Sequence, residues 1–311
     1  MSRSTAPLAV VRTPGRPGPG PMPDALLRAL DFSIARNVTG LLQGDYRASA
    51  IGAGTELAQV REYQPGDDVR LIDWNVTART TEPHVRVHVA ERVLTTWLLL
   101  DTSPSMSFGT GDRRKADVAE GVALATGHIS TRRGNNLGVI TFGDAKPRTI
   151  PPKQGRTGML GLLSALRQEP APATGTPTSL GEALTRVNRL ARLSKLVIIV
   201  SDFRGPMDWR LPLVELCSRH TVIAAEIRDQ REQELPDVGE LWLIDPETGR
   251  QLRVDTSRRR IRERFAAAAA EERQRVAAEL REAGAAHVVL PTTGDWLRTF
   301  AGFLNAKGGS R

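Results

Sequence analysis

From Leu94 onward the chain repeats one rhythm, a strand-length apolar run followed by a helix-length amphipathic segment, and few folds accommodate it. Thr96–Leu100 ends at Asp101, and an amphipathic helix is expected from about Arg113 to Arg133. Leu137–Phe142 (LGVITF) reads as a buried strand, with Pro147–Ile150 a candidate to pair beside it. Helices are expected near Gly158–Gln168 and Leu180–Leu193. The β-branched run Lys195–Val200 (KLVIIV) ends at Ser201-Asp202, and a helix over Trp209–Arg219 leads into strand Thr221–Ile227. Continuous apolar strands separated by helices belong to a mostly parallel sheet covered on both faces, since a sheet with one wet face would alternate apolar and polar residues. The expected class is therefore α/β and Rossmann-like.

The rhythm is absent at both flanks. Residues 1–23, rich in Pro and Gly, read as a disordered tail. Residues 24–92 hold a helical pattern from Asp24, a candidate N-cap, to about Leu42, followed by a β-rich segment. There Val85, Val87 and Val89 alternate with His84, Arg86 and His88, as in a half-buried strand with a basic outer face. Residues 93–306 form the α/β domain, interrupted near 235–254 by a hairpin around Asp245–Gly249. A long helix over Ser257–Ala283, strand His287–Leu290 and helix Asp295–Phe303 close it. The hairpin and the 43–92 strands are expected to pack together as a small β-subdomain.

Composition excludes several classes. The chain has 311 residues and is 40% hydrophobic, enough for a sizeable core without a disulfide or metal staple. Its single cysteine, Cys217, lies in an apolar stretch, and no His cluster joins it in a zinc site. No run approaches the roughly 18–20 apolar residues of a membrane span, and the N-terminus has no signal-type apolar segment. A cytoplasmic location is expected. Lys and Arg number 43 against 35 Asp and Glu, a net charge of +8 that is a modest bias over this length. Only Arg258–Arg260 is a dense basic run.

Three polar clusters follow expected strands: Asp101-Thr-Ser103-Pro-Ser105, Thr176-Pro-Thr178, and Ser201-Asp202. Open α/β sheets bind ligands at the carboxyl ends of strands, at the topological switch point. Carboxylates and hydroxyls meeting there form an oxygen-only site suited to a hard cation, with magnesium favoured over manganese or calcium. Alternation within D-x-S-x-S turns Asp101, Ser103 and Ser105 to one side of a tight loop. Neutral hydroxyls add no charge, so the cation keeps an affinity for an outside carboxylate.

This pattern resembles the metal-ion-dependent adhesion site of von Willebrand factor A domains, with Asp101, Ser103 and Ser105 as its D-x-S-x-S, Thr178 as its threonine and Asp202 as its final aspartate. The resemblance implies that Ser103, Ser105 and Thr178 hold the metal, that Asp101 and Asp202 act mostly through water, and that a sixth position awaits a partner's Asp or Glu. A second resemblance covers nearly everything after about residue 24. GTELAQVREYQPGDDVRLIDWNVTART at 54–80 and LPDVGELWLIDPETGRQLRVDT at 235–256 resemble the bacterial domain-of-unknown-function family number 58. Members share a von Willebrand A-like core and are associated with MoxR-type AAA+ ATPases, so the resemblance implies such a partner. In the first segment Gln64-Pro65-Gly66-Asp67 reads as a turn. Arg61, Glu62, Asp67, Asp68, Arg70, Asp73 and Arg79 are available for ion pairs, and Trp74 is expected in a core or an interface.

These readings favour a non-enzymatic, chaperone-like adaptor whose metal captures an acidic side chain on a client or on the ATPase. No phosphate-binding G-x-x-x-x-G-K-[ST] loop is present, and Gly155–Gly158 is too short to serve as one. The alternatives are a metal-dependent phosphatase-like hydrolase and a basic nucleic-acid binder. Asp101 resembles the nucleophile of haloacid dehalogenase-like phosphatases, but Ser103 stands where their second acid is needed. A nucleic-acid surface would use the N-terminal tail, His84–His88 and Arg258–Arg260, with steep salt dependence.

Overall fold

The computed structural model describes residues 15–30 other than 16 and 29, then 56–89, 95–132, 134–144, 147–166, 179–191 and 196–309. It divides into two units, 36–93 and the remainder.

In the smaller unit, β1 (Glu56–Glu62) and β2 (His84–Val89) pair antiparallel around α1 (Trp74–Thr80). Two ion pairs hold the intervening chain. Arg61 reaches both carboxylate oxygens of Asp67, at 2.8 and 2.7 Å. Asp73 caps α1 by accepting from the Asn75 and Val76 amides, and its second oxygen takes Arg86 Nε at 2.9 Å. Asp68 accepts from the Arg70 amide, a cap where an ion pair was one expectation. Trp74 is 71% exposed, so it is not a core residue.

In the larger unit, β3 (Thr95–Asp101), β4 (Asn136–Phe142), β5 (Thr149–Gln154), β6 (Leu196–Ser201), β7 (Thr221–Arg228) and β10 (Ala286–Pro291) form one sheet in the order β10-β7-β6-β3-β4-β5. Every pairing is parallel except that of edge strand β5 with β4. The segment expected at 147–150 does pair beside LGVITF, running antiparallel and extending to Gln154. The sheet is mostly parallel with helices on both faces, the α/β class the sequence implied. β8 (Glu240–Ile244) and β9 (Gln251–Asp255) form a separate hairpin in this same unit. The hairpin ladder and the β1–β2 ladder are separate two-stranded sheets, each in its own unit.

The alternation of side chains along each strand fills both faces. Trp97, Leu99, Val197 and Ile199 pack with α4 (Leu180–Leu190), α5 (Arg210–Arg219) and α6 (Arg259–Glu282) through Leu184, Leu213 and Leu280. Leu98, Leu100, Ile198 and Val200, equally buried, face the opposite way, where α2 (Lys115–Arg132) lies across the sheet. α3 (Gly155–Leu166) and α7 (Trp296–Gly309) flank α2. Residues of the expected tail take part: Pro19 accepts a hydrogen bond from Trp296 Nε1 at 2.9 Å. Asp24 is already inside a helical turn, whose first carbonyl acceptor is Pro23. The rest of that expected helix, 31–42, lies outside the described residues.

A candidate metal centre at the switch point

After β3 the chain passes to β4 on one side and later returns to β6 on the other, so the β3–β6 seam is the switch point. Leu100 is paired with Val200, which sets the last residues of the two strands, Asp101 and Ser201, side by side. Ser201 Oγ donates to Asp101 Oδ2 at 2.5 Å and accepts from the Phe203 amide at 2.9 Å. The other Asp101 oxygen accepts from the Ser103 amide at 2.9 Å, which folds D-x-S-x-S back on itself. Ser103 Oγ and Ser105 Oγ then lie 3.0 Å apart, and Ser105 Oγ donates to Asp202 Oδ2 at 2.8 Å. Four of the five sequence-expected ligands are therefore drawn together. The fifth, Thr178, lies outside the described residues; its neighbour Ser179 caps α4 by accepting from the Glu182 amide.

Beneath this loop lies a cation that sequence reasoning missed. Lys115, the first residue of α2, is fully buried, and its Nζ donates to Asp202 Oδ2 and Glu232 Oε1, each at 2.6 Å. An ammonium at a helix N-terminus opposes the helix dipole, so these two carboxylates account for its position. Burial lowers the Lys115 pKa, but Asp202 and then Glu232 outweigh it, leaving the group above its ordinary value. Glu232 is held in turn by the Asp229 amide at 3.3 Å and by Arg204 Nη1 at 3.0 Å. Arg204 also faces Glu272. Asp101 behaves oppositely: burial, and next the charge of Asp202, push its carboxyl up to about 6 despite the bonds from Ser103 and Ser201.

The donor set fits a hard cation. At magnesium–oxygen distances of 2.0–2.1 Å, neighbouring octahedral oxygens stand about 2.9 Å apart, close to the Ser103–Ser105 and Ser105–Asp202 separations. Carboxylates outnumber cations even with Lys115 and Arg204 counted, since Asp101, Asp202, Glu232 and Glu272 are joined by Glu247 from the hairpin turn. Gly143, after β4, closes over the loop at φ 83°, and a Cβ there would sit 2.7 Å from the Ser103 nitrogen and 2.8 Å from Asp101 Oδ1. The space above Asp101 thus depends on a residue with no side chain. Among the described residues no three His, Cys, Asp or Glu side chains converge on one point, so a cation here relies on the serine hydroxyls. That donor chemistry suits magnesium or manganese and disfavours zinc.

Beside Asp202 a shallow cleft opens between β7 and α6. Its lining mixes the charged Arg204, Glu226, Arg228, Glu272 and Arg273 with the apolar Phe203, Ile227, Ala269 and Val276. The basic run expected of a nucleic-acid surface is partly neutralised: Arg258 pairs with Asp255 and Arg259 with Glu263.

The family model described as "Protein of unknown function DUF58" matches residues 59–275. This chain belongs to the DUF58 family. Its relatives include an uncharacterized protein of Mycobacterium tuberculosis, Rv1480, 39% identical over 285 residues, or 91% of this chain and 89% of that one. An uncharacterized protein of Mycobacterium avium is 35% identical over 160 residues, covering 51% of the DUF58 chain and 93% of its own. Among solved structures, the conserved hypothetical protein BatB from Bacteroides thetaiotaomicron is 11% identical with a TM-score of 0.44, covering 70% of this chain and 100% of that one. A von Willebrand factor type A protein from Catenulispora acidiphila is 15% identical with a TM-score of 0.38, covering 72% and 44%. No helix among the described residues is long and apolar enough to cross a membrane.

Proposed function

We propose that this DUF58 chain is a non-enzymatic protein-binding adaptor that uses a divalent cation, magnesium foremost, to capture an acidic side chain of a partner. The observation that carries this reading is the gathering of Asp101, Ser103, Ser105 and Asp202 at the carboxyl end of the β3–β6 seam. Ser103, Ser105 and Thr178 would hold the cation, with Asp101 and Asp202 balancing its charge. The cation would supply an electrophilic contact for a carboxylate. The partner we propose is a MoxR-type AAA+ ATPase or a client of one, with the ATPase providing the energy of remodelling and this chain providing recognition, and we place the pair in the cytoplasm.

The chemistry nearby favours binding over turnover. Two residues after Asp101, where a phosphatase of the dehalogenase type needs an acid, Ser103 is engaged with Ser105. Titration calorimetry with magnesium and manganese tests the proposal: the wild type is expected to bind either ion, and Ser103→Ala combined with Ser105→Ala to lose the heat. Absence of binding to the wild type refutes the metal. Hydrolysis of phosphate esters that Asp101→Ala abolishes refutes the adaptor.

A further inference from the structure

The hairpin between β8 and β9 carries a turn built from its own side chains. Asp245 accepts from the Glu247 amide at 3.0 Å and from Thr248 Oγ1 at 2.6 Å, and its carbonyl accepts from the Gly249 amide at 2.8 Å. This wrapping leaves Glu247 at the apex, 142 residues from the loop it meets: Glu247 Oε1 accepts from the Ser105 amide at 2.9 Å. An acidic side chain of the chain itself thus rests on the rim of the site, bonded to the backbone of a residue whose hydroxyl faces Asp202.

Only the base of the hairpin is firmly anchored. Leu241 is buried, and Thr256 Oγ1 bridges the Gly239 carbonyl and the Val238 amide. Towards the apex, Trp242, Ile244 and Leu252 are 51, 60 and 61% exposed. A two-stranded ladder with so little cover is marginal on its own, so its apex can leave while its base stays.

We propose that Glu247 is a tethered occupant of the metal site, an internal carboxylate that holds the partner's place and must be displaced when the partner binds. The inference rests on the proposed metal-dependent capture of a carboxylate and adds its regulation. A ligand attached through an anchored hairpin acts at an effective concentration on the order of millimolar, so weak outside carboxylates compete poorly while a partner with further contacts succeeds. The turn also displays the ligand chemistry concerned: an acidic side chain at the apex of a tight turn.

Glu247→Gln keeps the size of the side chain and removes its charge. Glu240→Gln, on the same hairpin but at its base, serves as the control for net charge. Acetate is the probe, its binding read from relaxation of its methyl protons by protein-bound manganese, and manganese occupancy is measured separately by electron spin resonance. Glu247→Gln is expected to bind acetate about tenfold more tightly than the wild type, the scale of one exposed charged hydrogen bond. Glu240→Gln is expected to match the wild type. Faster hydrogen exchange at the Ser105 amide in Glu247→Ala, which removes the acceptor that glutamine keeps, reports release of the apex without any metal. Manganese bound by all three proteins with equal acetate affinities overturns the tethered carboxylate and leaves the metal reading standing. Manganese bound by none overturns both. Unchanged exchange at Ser105 in Glu247→Ala overturns the contact itself.

Discussion

Replacing Lys115 with methionine tests the electrostatic account of the site most severely. Methionine approximates the length of the aliphatic stem and removes the charge. Asp202 and Glu232, whose side chains are 2% and 14% exposed, each lose an ammonium at 2.6 Å. Removing one partner of a buried ion pair leaves an uncompensated charge and costs about 3–5 kcal/mol. For a unit of this size that corresponds to a fall in Tm of roughly 6–20 °C. The lost charge also makes the site more negative, so Lys115→Met is expected to gain more from magnesium than the wild type does; a ligand at a hundred times its Kd restores about 2.7 kcal/mol. Urea titrations and thermal melts in chelator and in magnesium measure both effects. The pH dependence has a definite sign. A lysine whose pKa is higher folded than unfolded adds stability that is complete below about 10.4 and disappears as pH rises through the folded value. The wild type is therefore expected to lose stability in that alkaline window and Lys115→Met to lack this component. A variant within about 1 kcal/mol of the wild type in chelator, with an unchanged response to magnesium, refutes the reasoning.

Gly143→Ala is expected to cost at least ~1–2 kcal/mol, from a left-handed backbone and from crowding of Ser103 and Asp101, and to weaken metal binding, checked by denaturation and calorimetry. Asp229, fully buried, accepts from the Thr110 amide and hydroxyl at 2.7 and 2.6 Å and from the Thr292 hydroxyl at 2.7 Å. Burial alone would raise its pKa, but the bonds from Thr110 and then Thr292 hold it below the ordinary range, so its contribution is present above about pH 4 and lost as pH falls through the folded value. Asp229→Asn is expected to cost ~1–3 kcal/mol at pH 7 and to flatten the acid limb of the stability curve. The Cys217 thiol, pushed up to about 11 by burial, is expected to react slowly with Ellman's reagent at pH 8 and rapidly once the protein is unfolded in urea.

Much of this architecture was legible in residue order because strands and helices carry their own periodicities. LVIIV at 196–200 and LGVITF at 137–142 are too apolar for any setting but the middle of a covered sheet, and both lie there. D-x-S-x-S announced a polar loop at a strand end for a local reason: the Asp101–Ser103 contact spans two residues. Trp74 was expected in a core or an interface; an indole signals burial only on average, and its exposure on a helix of seven residues removes the core alternative alone. Lys115 was invisible within the charged run DRRKAD, where a solvated lysine and a buried one are spelled alike.

The sequence alone determined the α/β class, the mostly parallel sheet and four of the residues that now meet at one strand seam, because those depend on short-range pattern and on the rule that ligands gather at strand ends. Tertiary structure alone decided which charges surround them. Lys115, Glu232 and Glu247 come from a helix start, a turn and a hairpin 87, 30 and 45 residues from Asp202, and no periodicity relates such positions. Their partnership exists only once the sheet has closed, when the high cost of leaving a buried charge unpaired selects the neighbours that neutralise it.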